Sequence, residues 1–181
     1  LKTIQNNNLK AFFATNVLGF SGDLNRIRTI CNEKDILLIE DNCEALGSAL
    51  PNGRCGNFGQ MSSFSFFVAH HMSTIEGGMV CTENDEMMNM LKMVRANGWD
   101  RNLDSSQQHQ VRRNFNVKKE FEAKYTFYDL GYNFRPTEIV GFLGRIQLQF
   151  LDEAIQKRRE NHKVLENIVK QNEEMITLDH S

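Results

Sequence analysis

The segment that most constrains the fold is Asp35-Ile36-Leu37-Leu38-Ile39-Glu40, an almost unbroken apolar run closed by an acid. A run of this length without polar alternation suits a strand covered on both faces, as in a parallel sheet sandwiched between helices. The preceding residues agree. Residues 10–15 (KAFFAT) have strand composition, and residues 24–33 (LNRIRTICNE) carry Leu24, Ile27, Ile30 and Cys31 at helical spacing behind Asp23, a helix-capping residue type. Strand, helix and strand in this order form a right-handed parallel crossover, and ligands of such sheets gather beyond the carboxyl ends of the strands. Here that place is residues 41–48.

The α/β alternation continues. A glycine-punctuated stretch from Gly47 to Gly59 leads to predicted strands at 61–67 (MSSFSFF) and 78–82 (GMVCT). Asn84 caps a predicted helix over 85–97 that stops at Gly98, and its methionines read as core packing. Residues 100–124 are polar and charged and read as a loop or excursion. From Pro136 the pattern is helical over 137–175, with a break near Leu151-Asp152 and a charged outer face beyond it.

Composition excludes several classes. Across 181 residues, 40% hydrophobic and 24% charged side chains are globular values, so a disordered or fibrous chain is not expected. Lys plus Arg number 21 against 23 for Asp plus Glu, a net charge of −2 that gives no electrostatic reason to expect nucleic acid or an anionic membrane. No apolar run approaches the ~20 residues of a membrane span. Cys31, Cys43, Cys55 and Cys81 form no CxxC pair or small-scaffold pattern, so reduced thiols are expected. A cytoplasmic chain is the expectation. The residues before the first strand do not have the pattern of a signal peptide, so none is expected, and both ends read as cuts in a longer enzyme.

Three clusters could carry chemistry. Glu40-Asp41-Asn42-Cys43-Glu44 sits at a strand tip, where acids serve as caps or hold a cationic ring nitrogen. His70-His71 with Glu76-Gly77-Gly78 has the residue types of a zinc site, but adjacent side chains diverge in extended backbone and the spacing matches no helical ligand set, so no metal is expected. Gly131-Tyr132-Asn133-Phe134-Arg135-Pro136 reads alone as a rigid turn before a helix.

Their order is more informative than any one of them. Asp41-Asn42-Cys43-Glu44-Ala45-Leu46-Gly47-Ser48, Gly56-Asn57-Phe58-Gly59, Phe64-Ser65-Phe66, His70-His71 with Glu76-Gly77-Gly78, and Gly131-Tyr132-Asn133-Phe134-Arg135 together resemble the DegT/DnrJ/EryC1/StrS sugar-aminotransferase family, over about residues 10–165. The resemblance implies part of the three-layer α/β/α large domain of fold type I vitamin B6 enzymes, with a mixed, mostly parallel sheet. Residues 1–150 would belong to that cofactor-binding domain and 151–181 would begin the helical connection to a small domain. It further implies a nucleotide-linked keto-sugar substrate and a homodimer with shared active sites.

The roles it implies fall on matching positions. Asp41 corresponds to the aspartate that pairs with the pyridine nitrogen of the cofactor. Cys43 lies where a small residue packs on the ring face, and Glu44 where a glutamine or histidine contacts the ring hydroxyl. Ser65 corresponds to a phosphate-binding serine, and Asn133 to an asparagine that reaches the phosphate in the neighbouring subunit.

One departure redirects the chemistry. The family's Schiff-base lysine should fall at 70, where this chain has His70, and no lysine occurs between Lys34 and Lys92. Imidazole cannot form that covalent link, although it is a serviceable base. Histidine here resembles the family's sugar 3-dehydratases, which hold pyridoxamine or pyridoxal phosphate non-covalently. That branch implies His70 as the base and His71 in orientation or packing. An iron–sulfur version needs grouped cysteines after the histidine, and only Cys81 follows. The competing expectations are an aminotransferase relative without its lysine and a non-catalytic sugar-nucleotide-binding relative.

Overall fold

The computed structural model describes residues 9–172. These form two compact units, one built from residues up to Val80 and from Glu138 onward, the other from Cys81 to Thr137.

In the first unit, β1 (Ala11–Thr15), α1 (Leu24–Glu33) and β2 (Leu37–Asp41) make the expected crossover. β1 pairs with β2 in parallel from Ala11 opposite Leu37 to Thr15 opposite Asp41. A two-residue-strand hairpin, β3 (Ala49–Leu50) and β4 (Gly53–Arg54), precedes β5 (Met61–Ser65), and β6 (Gly78–Cys81) completes a four-stranded sheet of order β1-β2-β5-β6. β5 runs parallel to β2, with Ile39 opposite Met61 and Asp41 opposite Ser63. The Asp23 carboxylate caps α1 by accepting the Arg26 amide at 3.0 Å. Leu24 and Cys31 of α1 join Ile36, Leu38, Ala45, Cys55 and Phe58 in the core. Burial of this apolar surface is the main favourable term of the fold.

Glu40, which closes the apolar run, is fully buried. Its Oε2 accepts the Gly56 amide, and its Oε1 accepts the amides of Phe58 and Gly59, all at 2.7 Å. A buried carboxylate needs such partners, and these three pin the Gly56–Gly59 turn against the sheet.

α5 (Glu138–Leu148) and α6 (Leu151–Lys170) belong to this unit, and the predicted break between them falls at Gln149-Phe150. The predicted helical residues 173–175 lie outside the described residues. No described helix is long and apolar enough to cross a membrane.

In the second unit, α2 (Asp85–Val94) is shorter than the predicted 85–97, and none of its residues is fully buried, so its methionines pack only partly. The loop expected over 100–124 is corrected by the structure: it contains α3 (Ser105–Asn114) and the short α4 (Glu120–Ala123). α3 buries no residue fully and so lacks the apolar periodicity that announces a helix. Caps and ion pairs hold it instead. Asp104 and Gln107 form a reciprocal capping box, and Arg112 reaches the buried Asp100 at 2.7 Å and Glu120 at 3.0 Å.

Gly98 adopts φ +77°, and a Cβ there would overlap the Asp129 carbonyl oxygen. Gly98→Ala should therefore cost at least roughly 1–3 kcal/mol, the range for left-handed strain alone, read as a lowered urea midpoint at unchanged slope.

Candidate active site

The parallel register brings the carboxyl ends of β1, β2 and β5 together. Asp41, half-buried at the end of β2, accepts the Cys43 amide at 3.1 Å and the Ser63 hydroxyl at 3.0 Å, both on Oδ1. Next to it, the buried side chains of Asn16 and Asn42 meet at 2.7 Å and tie the end of β1 to the turn after β2. That turn carries Cys43 and Glu44. Burial, and then the neighbouring Asp41 carboxylate, push the Cys43 thiol up, which keeps it protonated. Glu44 Oε2 accepts the Leu18 amide at 2.8 Å. Leu18 itself sits at φ +53°, a left-handed position uncommon for leucine.

Beyond β5, Ser65 Oγ accepts the Phe67 amide at 3.2 Å. The His70 amide donates to the Phe67 carbonyl at 3.0 Å, and the His70 ring sits edge-on to Phe67 at 5.7 Å. The Phe66 amide donates to the Gly77 carbonyl and the Thr74 amide to the Phe66 carbonyl, each at 2.9 Å. The Glu76-Gly77-Gly78 motif therefore closes the loop that presents both histidines. Their Nδ1 atoms are buried and have no hydrogen-bond partner. A polar nitrogen left in that state is costly unless a ligand or proton transfer uses it.

Glu44, His70 and His71 line one cavity of about 800 Å³, closed on another side by Arg158 and His162 of α6. α6 is tied to the strand-end loop by the Arg159 guanidinium, which donates to the Gly47 carbonyl at 2.9 Å. Asp41, Cys43 and Ser65 are not on the cavity wall, although Asp41 and Cys43 immediately precede Glu44 on the same turn. Asn133 belongs to the second unit, where it is exposed, bridges Ala96 and accepts Arg135 Nε at 2.9 Å. Among the described residues no group of three or more His, Cys, Asp or Glu side chains is placed to hold a metal ion.

His71 is held below the ordinary imidazole range by burial, then by Arg158 and His70, against an opposing pull from Glu44. With its folded pKa lower than the unfolded value of about 6.5, the unfolded chain binds more protons between the two values. Stability contributed by neutral His71 is present above about pH 6.5 and is lost as pH falls through the window below it. His71→Gln should flatten that part of a stability–pH curve measured by urea unfolding.

The residues present fit a vitamin B6 cofactor. A half-buried carboxylate with one oxygen fixed by two donors suits a cationic ring nitrogen, and the unpartnered imidazole nitrogens suit proton transfer. No lysine occurs between Lys34 and Lys92, so position 70 offers no amine for a covalent tether, and the lysine on the cavity wall is Lys163 of α6.

Comparison with known proteins decides the family. The model of the DegT/DnrJ/EryC1/StrS aminotransferase family matches residues 2–181. The chain belongs to this family. Among its relatives, the GDP-4-keto-6-deoxy-D-mannose 3-dehydratases of Yersinia pseudotuberculosis and Escherichia coli are 37% and 38% identical to it, over 93% and 89% of this chain. Those matches cover 42% and 41% of the two relatives, so the chain spans about two fifths of their length. A solved GDP-4-keto-6-deoxymannose-3-dehydratase with a trapped PLP-glutamate geminal diamine is 34% identical, with a TM-score of 0.83 over 95% of this chain and 44% of that one. The fold is accordingly that of fold type I members of the DegT/DnrJ/EryC1/StrS family, α/β with a mostly parallel sheet, as the resemblance implied.

Sequence reading missed two features of this site. The contact of Ser63 with Asp41 depends on strand register, and α6 reaches the cavity from 112 positions away along the chain. The identity of the Ser63 neighbour gave no signal in the sequence. The charged face of α6 did, but it reads as solvated surface.

Proposed function

We propose that this chain forms part of a nucleotide-sugar 3-dehydratase that removes the C3 hydroxyl of a GDP-linked 4-keto-6-deoxy sugar, with pyridoxamine or pyridoxal phosphate held without a covalent tether. The relatives named above support the substrate class, and the trapped PLP-glutamate in the solved relative supports glutamate as the amine source. Residues 1–150 then belong to the cofactor-binding domain and 151–181 begin the connection to a second domain. The working enzyme is a cytoplasmic homodimer in which Asn133 serves the partner subunit's cofactor phosphate.

When bound, the B6 group supplies an electron sink for the pair released at a carbon next to its ring. Asp41 holds the positive charge at the ring nitrogen, and the Cys43 amide and Ser63 hydroxyl fix the orientation of its carboxylate. Cys43 packs at the ring face, Glu44 meets the ring hydroxyl and Ser65 takes the phosphate. The His70 imidazole accepts the proton that must leave before the C3 hydroxyl can depart, and returns it to the leaving oxygen. His71, kept neutral, adds no positive charge that would repel the proton His70 takes up.

The observation that carries this reading is His70 on the wall shared with Glu44, where the family has an amine-bearing side chain. The test is product identity. The holoenzyme given GDP-4-keto-6-deoxymannose and glutamate should yield a nucleotide sugar that has lost its C3 hydroxyl, by mass spectrometry. A product that has gained an amine with the hydroxyl retained would make it an aminotransferase.

A further inference from the structure

Ser63 is not part of the Phe64-Ser65-Phe66 motif pattern that the family resemblance uses, yet it is the side chain that touches Asp41 from the neighbouring strand. In the parallel pairing of β2 and β5, Asp41 stands opposite Ser63, so the two side chains lie on one face of the sheet. Ser63 Oγ donates to Asp41 Oδ1 at 3.0 Å, onto the oxygen that the Cys43 amide also meets at 3.1 Å. The adjacent Ser62 points the other way. It is buried at 1% exposure, and its hydroxyl has no partner.

A carboxylate offers about four acceptor sites. At Asp41 the Ser63 hydroxyl and the Cys43 amide occupy two of them on a single oxygen. The Cys43 amide is local, two residues along, and moves with the turn. Ser63 is the contact that fixes the carboxylate to a second strand and so sets its rotation. With Oδ1 held by two protein donors, the plane of the carboxylate is set before a ring N–H arrives, and binding does not have to order it.

We propose that Ser63 is a positioning residue that orients Asp41 toward the cofactor's ring nitrogen and thereby sets cofactor affinity and ring geometry. This rests on the B6 reading given above. A hydroxyl at residue 63 is the requirement, not serine itself, so threonine should serve and alanine should not.

The experiment compares the holoenzyme with Ser63→Ala, Ser63→Thr, Ser62→Ala and Asp41→Asn. Affinity is read by absorbance titration with pyridoxal phosphate, and ring orientation by the induced circular dichroism of the bound cofactor. Loss of one hydrogen bond to a charged group should weaken affinity about tenfold in Ser63→Ala and reduce the induced band. Ser63→Thr should restore both, and Ser62→Ala should leave both unchanged. Wild-type affinity and dichroism in Ser63→Ala would overturn the proposal, provided that Asp41→Asn is impaired. So would equal losses in Ser63→Ala and Ser62→Ala that follow their unfolding midpoints, since strand packing would then explain both. If Asp41→Asn itself binds and orders the cofactor normally, the B6 reading fails and this proposal fails with it.

Discussion

His70→Asn should lower dehydration by roughly 10²–10⁴-fold, the range for removing a positioned general base. The measurement is loss of the C3 hydroxyl from the nucleotide sugar, under conditions where the variant is saturated with cofactor. Asparagine keeps polarity and approximate size but has no titrating nitrogen, so cofactor affinity should change far less than turnover. The expectation follows from the surroundings of His70 as well as from its type. Its ring packs on Phe67, its Nδ1 has no protein partner, and its backbone is fixed by the loop that the Phe66–Gly77 hydrogen bond closes. Turnover within a fewfold of wild type would mean that another group takes the proton, or that the chain binds sugar nucleotides without transforming them. His71→Gln in parallel separates the two histidines: it should move turnover much less than His70→Asn does.

Glu40→Ala should destabilise the protein by roughly 3–5 kcal/mol, because three backbone amides lose a buried charged acceptor at once. Glu40→Gln is the sharper test. One end of the glutamine amide can still accept, but its NH₂ must face an amide that also donates, on either the Gly56 side or the Phe58 and Gly59 side. The Gln variant should therefore lose about 2 kcal/mol or more, measured by urea unfolding. It should also expose the Gly56–Gly59 turn to proteolysis. A Gln variant within about 0.5 kcal/mol of wild type would show that the turn does not depend on the charge. Phe58 would register the damage, since it lies in the core with its backbone held by Glu40 and with Arg28 placed 5.5 Å over its ring.

What the sequence revealed and what it hid divide along a physical line. Elements with local signals were readable: the helix Leu24–Glu33 begins and ends where its cap and apolar spacing put it, and the strands around Ile39 and Phe64 follow from apolar runs. The helices at 105–114 and 120–123 were hidden because their stability comes from the Asp104–Gln107 box and the Asp100–Arg112 pair, not from an apolar stripe. At the site, Glu44 and His70 were readable as candidates through motif order, and the structure places both on one cavity. Glu40 was grouped with its acidic neighbours as a possible ligand contact, whereas it points inward and builds the Gly56–Gly59 turn. Residue types do not reveal on which side of a strand tip a carboxylate will lie. Strand register decided it, as it decided the partnership of Ser63 with Asp41.

Gly47 has no Cβ, and Ile155 of α6 fills the space one would take, while Arg159 on the same helix holds the Gly47 carbonyl. Helix and strand-end loop are thus keyed together at Gly47, three residues after Glu44. A side chain at residue 47 would press on Ile155, so the loop that carries Glu44 and the helix that faces it would have to part.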